Sequence, residues 1–258
     1  MGAASLPTLS SQSAPDEREK FKETYLTSLH QTIYLVMPLS AILLVLRVPA
    51  IRLVYGVGNF PWEATIRTAQ TLAFFSISIF SQSANYLTTR AFYALKDTVT
   101  PVLINIFTAV INICVSVYFV STLKLGVWSI ALAYASTSML DLFLLVFFLN
   151  KKVGGLDKKK LIVPFTKISF ATGLMGIMLY IPMKLLDNYV LDTTRTINLI
   201  ALTGVAGIVG MATYLLITHL LKVEEIQLFY KLLRKLKLSK GTYKAEAVDL
   251  ATTEQETV

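Results

Sequence analysis

Thr88-Thr89-Arg90-Ala91-Phe92-Tyr93-Ala94-Leu95-Lys96-Asp97-Thr98-Val99-Thr100-Pro101 is a short polar connection between two long apolar runs. No Asp, Glu, Lys or Arg occurs from Thr68 to Thr89, and none from Thr98 to Leu123. Each run reaches the roughly 20 residues that a helix needs to cross a bilayer. The connection therefore reads as a turn at a membrane edge. Asp97 stands where a carboxylate caps the exposed amides of the next helix, and Pro101 falls in that helix's first turn, where a missing N–H costs nothing. Arg90 reads as closing the helix before it, where a cation suits the dipole.

The rest of the chain has the same grain. Of 258 residues 54% are hydrophobic and only 16% charged, which is too apolar for an ordinary soluble domain and fits an all-α, polytopic membrane helix bundle. Six runs are predicted as transmembrane helices: Leu29 to Leu46, with Pro38 as a kink that serves packing before gating; Thr68 to Thr89; Thr98 to Leu123; Leu125 to Leu149; Leu161 to Met183; and Thr196 to Leu221. Between the first two, Arg47 to Arg67 reads as an interfacial helix and a turn, with Tyr55 and Trp62 in the headgroup belt.

The alternating charges from Asp16 to Glu23 suggest a solvated helical approach to the membrane. Upstream of them, the Ser-rich start with Pro7 and Pro15 lacks a signal-peptide pattern and reads as a connection. After the sixth run, Ile226, Phe229, Leu233 and Leu236 alternate with Lys231, Arg234, Lys235 and Lys237, the pattern of an amphipathic helix on an anionic surface; Gly241 to Val258 reads as a disordered tail. The organisation is thus 1–28 connection, 29–150 four helices, 151–222 two more, and 223–258 basic helix and tail. Lys and Arg number 17 on the side holding both termini and the Arg90–Asp97 turn, against 6 on the other, so the positive-inside rule places both termini in the cytoplasm.

Polar residues recur at helical spacing inside the runs. Ser78, Gln82, Asn85 and Thr89 share one face, as do Asn105, Thr108, Asn112 and Ser116, and then Tyr134, Thr137 and Asp141. Amides in hydrocarbon need partners, so these stripes face protein or water, as either a packed polar core or a hydrated cavity. Asp141, the only carboxylate inside a run, has two readings of equal weight: a site for ion coupling or substrate contact, and a hydrogen-bonded structural acid. Gly204, Gly207 and Gly210 form a small-residue seam for helix packing, and Lys167 is close enough to a run's end to snorkel.

Catalytic chemistry finds no footing. The single cysteine, Cys114, excludes an internal disulfide and a zinc site of the usual Cys/His spacing; His30 and His219 sit near predicted cytoplasmic membrane ends, and no phosphate-binding Gly-rich loop or carboxylate pair appears. No enzyme activity, metal or cofactor is expected. The net charge of +8 lies mostly at run ends, which suits anionic membrane lipids and not nucleic acid.

Arg90-Ala-Phe-Tyr-Ala-Leu-Lys-Asp-Thr-Val-Thr-Pro101, with Leu6-Pro7-Thr8-Leu9-Ser10 and the Pro49 to Phe60 segment, resembles the MviN/MurJ family of lipid II flippases, within the multidrug/oligosaccharidyl-lipid/polysaccharide exporter superfamily. The resemblance implies a bacterial inner-membrane, multi-pass transporter of fourteen helices, of which the six runs match the last six. It implies that runs one to four belong to the second lobe, and that runs five and six form the groove for a polyprenyl tail. The partner lobe at the N-terminal side, with the arginines that meet the pyrophosphate, has no counterpart here. The implied substrate is a lipid-linked peptidoglycan precursor. Gln82, Asn85, Asn105, Asn112 and Asp141 are the candidate cavity contacts, while Arg90, Asp97 and Pro101 shape the cytoplasmic turn. Export of other lipid-linked sugars, cation-coupled drug export and a non-transporting scaffold or remnant stay open beside this reading.

Overall fold

The computed structural model describes residues 2–55, 60–189 and 196–226. Among them there are helices and turns and no strand. In chain order the helices are α1 (Gly2–Ser11), α2 (Arg18–Val45), α3 (Arg47–Tyr55), α4 (Trp62–Ala94), α5 (Val99–Val117), α6 (Trp128–Lys152), α7 (Lys158–Tyr189) and α8 (Thr196–Leu220). Five of the long ones are apolar enough to cross a membrane by length and composition: Arg18–Val45, Val99–Thr122, Trp128–Lys152, Lys158–Leu185 and Asn198–Leu220.

The long helix missing from that group is α4, which the sequence reading took as a span. It has 33 residues and so a length of about 50 Å, but its hydropathy is diluted by Ser, Thr, Gln and Asn. Those side chains are inside: Thr65, Ser76, Ser78, Ser81, Asn85 and Thr88 are all buried. The helix lies between α2 and α6 and also touches α1 and α3, so its polar residues meet protein where an outer helix would meet lipid. Several return their hydroxyls to the preceding turn, as Ser76 does to the Leu72 carbonyl at 2.7 Å and Thr88 to Ala84 at 2.8 Å.

The outermost helix is α5, packed mainly on α6. Only 11% of its apolar stretch is buried, and Val102, Leu103, Ile106, Phe107, Val110 and Ile113 are each 45% to 62% exposed. An apolar surface of that size needs lipid or further protein against it. The remaining pair, α7 and α8, pack on each other and join the bundle through α2. There Tyr34 donates to Thr218 Oγ1 at 3.3 Å, because the Thr218 hydroxyl is itself given to the Tyr214 carbonyl, and the Tyr214 hydroxyl donates to the Tyr34 carbonyl at 2.7 Å. On the other side of α2, Tyr25 donates to Thr88 of α4 at 3.0 Å.

Several boundaries move. The helix expected from Leu29 begins at Arg18, so the division drawn at residue 28 falls inside a continuous α2. Pro38 stands within it, as Pro164 and Pro182 stand within α7. The approach from Asp16 to Glu23 is indeed helical, with Glu17–Lys20 and Glu19–Lys22 pairs on its exposed side. Of the glycine seam, only Gly210 is needed for packing: a Cβ there would come within 2.9 Å of Leu179, whereas Gly204 and Gly207 face open space. The basic amphipathic segment around Phe229, Lys231 and Leu236, the tail from Gly241, and Gly56 and Gly58 lie outside the described residues.

Candidate functional site

The turn that joins α4 to α5 is built by its own residues. At the end of α4, Lys96 takes a left-handed conformation (φ 58°), its N–H bonds the Tyr93 carbonyl at 2.9 Å, and the Asp97 N–H bonds the Phe92 carbonyl at 3.0 Å. These are the two crossed bonds that close a helix around a left-handed residue. Asp97 then opens α5, accepting from the Thr100 N–H at 3.0 Å and from the Thr100 hydroxyl at 2.7 Å, and pairs with Lys152 at the end of α6. Its side chain is only 11% exposed. That burial opposes ionisation, but the Lys152 and Thr100 hydrogen bonds and the Lys152 charge outweigh it and hold the carboxyl at about 2. Pro101 is buried in the first turn of α5, as expected.

Arg90 is placed differently from the reading that made it the helix terminator. With α4 continuing to Ala94, it stands a full turn before the end. Its guanidinium lies over the Tyr86 ring, 4.1 Å from the centroid, and hydrogen-bonds the Tyr86 hydroxyl. Among the described residues no carboxylate pairs with it.

The α4 face that carries Arg90 opens on a cavity of about 760 Å3. Gln82, Asn85, Asn105 and Asp141, four of the five candidate contacts, line it, and Tyr86, Thr89, Arg90 and Tyr93 complete it. A second hollow of about 510 Å3 continues from Gln82 and Tyr86 toward Thr32 and Val36 of α2. Asn112 is elsewhere: its Nδ2 donates to Thr137 Oγ1 at 2.9 Å, which makes it a tie between α5 and α6.

Behind the cavity wall the polar stripes lock together. Gln82 Nε2 donates to Ser138 Oγ at 2.8 Å, and Ser138 in turn donates to Ser81 at 2.9 Å, since the Ser81 hydroxyl is given to the Ser78 carbonyl. Asn85 Nδ2 donates to Asp141 Oδ2 at 2.9 Å, and Thr108 donates to Asp141 Oδ1 at 3.2 Å. Asp141 is thus hydrogen-bonded to two neighbours and also lines the cavity. Among the described residues, Asn85 Oδ1 is buried without a partner. The packed polar core and the cavity are therefore two sides of one seam between α4, α5 and α6. Sequence reasoning missed Tyr86, Tyr93 and Ser138; the signals were there, since Tyr86 is one helical turn before Arg90 and Ser138 is three residues before Asp141.

Residues 1–200 match the family described as Lipid II flippase MurJ. The chain is similar to the probable lipid II flippase MurJ of Thermotoga maritima, 29% identical over 227 residues that cover 88% of this chain and 42% of that protein. It is also similar to the probable lipid II flippase MurJ of a Synechocystis species, 25% identical over 230 residues, covering 86% and 41%. Among solved structures it shares the fold of a lipid II flippase MurJ in an inward closed conformation, with a TM-score of 0.68 at 22% identity over 86% of this chain and 43% of that one. The chain spans less than half the length of these relatives.

Proposed function

This chain belongs to the lipid II flippase MurJ family, and we propose on that footing that it forms the C-terminal part of a lipid II flippase, a transporter and not an enzyme. In this reading α2, α4, α5, α6, α7 and α8 are six membrane spans of a bacterial inner-membrane protein with both termini in the cytoplasm, and α4 crosses inside the bundle. The complete assembly would move a lipid-linked peptidoglycan precursor outward by alternating access, with the headgroup in the cavity and the polyprenyl tail along α7 and α8. The open space at Gly204 and Gly207 supports the second placement, and the surplus of Lys and Arg supports contact with anionic lipids.

The observation that carries the proposal is the polar cavity with Arg90 on its wall, a cation with no carboxylate partner among the described residues, in a bundle otherwise dressed in apolar side chains. A planar guanidinium held over a tyrosine ring is suited to a phosphate group, with Asn105 and the Gln82 amide oxygen left for the sugar. The exposed side of α5 is where a further lobe would close the cavity.

The test is complementation. In cells depleted of their own lipid II flippase, the chain joined to the amino-terminal remainder of the Thermotoga maritima relative should restore growth and carry labelled precursor to the outer leaflet. Arg90→Ala and Asn105→Leu should abolish both at unchanged membrane level. Precursor movement that survives both substitutions, or growth rescued without it, would remove the cavity from the mechanism.

A further inference from the structure

Where α2 and α7 begin and α8 ends, a separate cavity of about 640 Å3 opens, sharing no lining residue with the polar one. Lys159, Lys160 and Lys167 of α7 and Lys222 just after α8 bring ammonium groups to it, while Glu23, Glu224 and Glu225 bring carboxylates. Most of these charges are already engaged. Lys160 Nζ lies 3.2 Å from Glu23 Oε1, Lys167 Nζ donates to the Leu221 carbonyl at 3.0 Å, and Glu225 Oε1 lies 3.8 Å from His30 Nδ1. The side chains left without a described partner are two ammoniums, Lys159 and Lys222, and one carboxylate, Glu224.

These groups are held in place. The chain after α8 is tied down by burial of Val223 and Ile226 and by the Val223 N–H bond to the Thr218 carbonyl at 3.0 Å, which fixes Lys222 and Glu224 on either side of Val223. Leu26, Val163 and Pro164 supply apolar lining beside them, and α7 goes on to expose Val163 and Phe170 along its outer face. An anionic headgroup here would meet Glu224 as a like charge, and a cationic one would meet two ammoniums. A headgroup with a phosphate and a primary ammonium side by side avoids both conflicts.

We propose that this cavity binds the headgroup of a zwitterionic aminophospholipid, its phosphate between Lys159 and Lys222 and its ammonium on Glu224. The glycerol lies on Leu26, Val163 and Pro164, and the acyl chains follow the exposed face of α7. A quaternary ammonium fits less well, having no N–H to give the carboxylate.

Native mass spectrometry of the purified full chain with equimolar phosphatidylethanolamine, phosphatidylglycerol and phosphatidylcholine reads the preference directly. The ethanolamine lipid should give the dominant adduct. Replacing Lys159 and Lys222 together by Ala should weaken the adducts of all three lipids, and Glu224→Gln should abolish the lead of the ethanolamine lipid over the choline lipid and put the glycerol lipid first; circular dichroism checks that both variants keep their helices. Equal adducts from all three lipids, phosphatidylglycerol leading in the unaltered chain, or an unchanged order in Glu224→Gln would each overturn the proposal. An excess of soluble phosphoethanolamine should leave the lipid adduct in place. Its displacement of the lipid would reassign the cavity to a free phosphoester.

Discussion

Lys96, Lys124 and Lys222 each follow a helical segment in the left-handed region, at φ 58°, 50° and 51°. A Cβ in that conformation crowds the backbone, which is why glycine is the usual occupant, while a lysine keeps a cation near the carbonyl end of the dipole. Lys96→Gly is expected to stabilise by about 0.5–1 kcal/mol, seen as a higher Tm of the purified protein in detergent. A lower Tm would mean that the charge matters more than the strain. One residue on, Asp97 makes a pH prediction with a definite sign. Folding lowers its pKa, so the unfolded chain takes up the proton first as pH falls. Its contribution is complete above the ordinary carboxylate range near 4 and is lost as pH falls toward about 2. Asp97→Asn should therefore lower Tm by a constant amount from neutral pH to about pH 5 and by less below about pH 4. A gap that widens in acid would contradict the assigned cap and ion pair.

At the scale of the helix, contacts separate residues that look alike in sequence. Of three evenly spaced glycines only Gly210 meets its neighbour, so Gly210→Val should cost about 1–3 kcal/mol and loosen α7 from α8, while Gly204→Ala and Gly207→Ala leave Tm nearly unchanged. Equal losses at all three would show that α8 faces α7 along its whole seam. Two asparagines on one stripe of α5 part in the same way. Asn112 is bonded to Thr137 of α6, and Asn105 lines the cavity. Asn112→Leu should lower the stability of the folded protein by about 1 kcal/mol, whereas Asn105→Leu should leave it nearly intact and, under the proposed function, show its effect only in precursor transport.

Across the whole molecule the polar seam and the apolar exterior are two outcomes of one constraint, that backbone and side-chain polar groups find partners inside the bundle when none exist in lipid. The seam between α4 and α6 is tied through Gln82–Ser138, Ser81–Ser138 and Asn85–Asp141. Asp141→Leu should therefore do more than empty one wall of the cavity: it takes away the 2.9 Å partner of the Asn85 amide, which keeps only the longer bond to the Ser138 carbonyl, and is expected to cost about 1–3 kcal/mol. Asp141→Asn, which keeps the shape and one acceptor, should cost less. If the two substitutions are equal in a detergent melting series, the acid does not organise the seam.

The sequence by itself determined the helical class, because runs without charge longer than about 20 residues have few other folded forms in a membrane, and it determined the Asp97–Pro101 cap, because capping bonds span only three residues. It also marked the polar stripes, since helical periodicity is local. Which stripe residue bonds a neighbour and which faces the cavity depends on the rotation and crossing of α4, α5 and α6, and so on contacts between residues some 25 to 57 positions apart. Only the tertiary structure decided that Asn112 is a tie, that Arg90 stands on the cavity wall, that one glycine in three is needed for packing, and that α4 can be polar because other helices surround it. A periodic pattern names the face of a helix; what that face meets is fixed by the packing of the others.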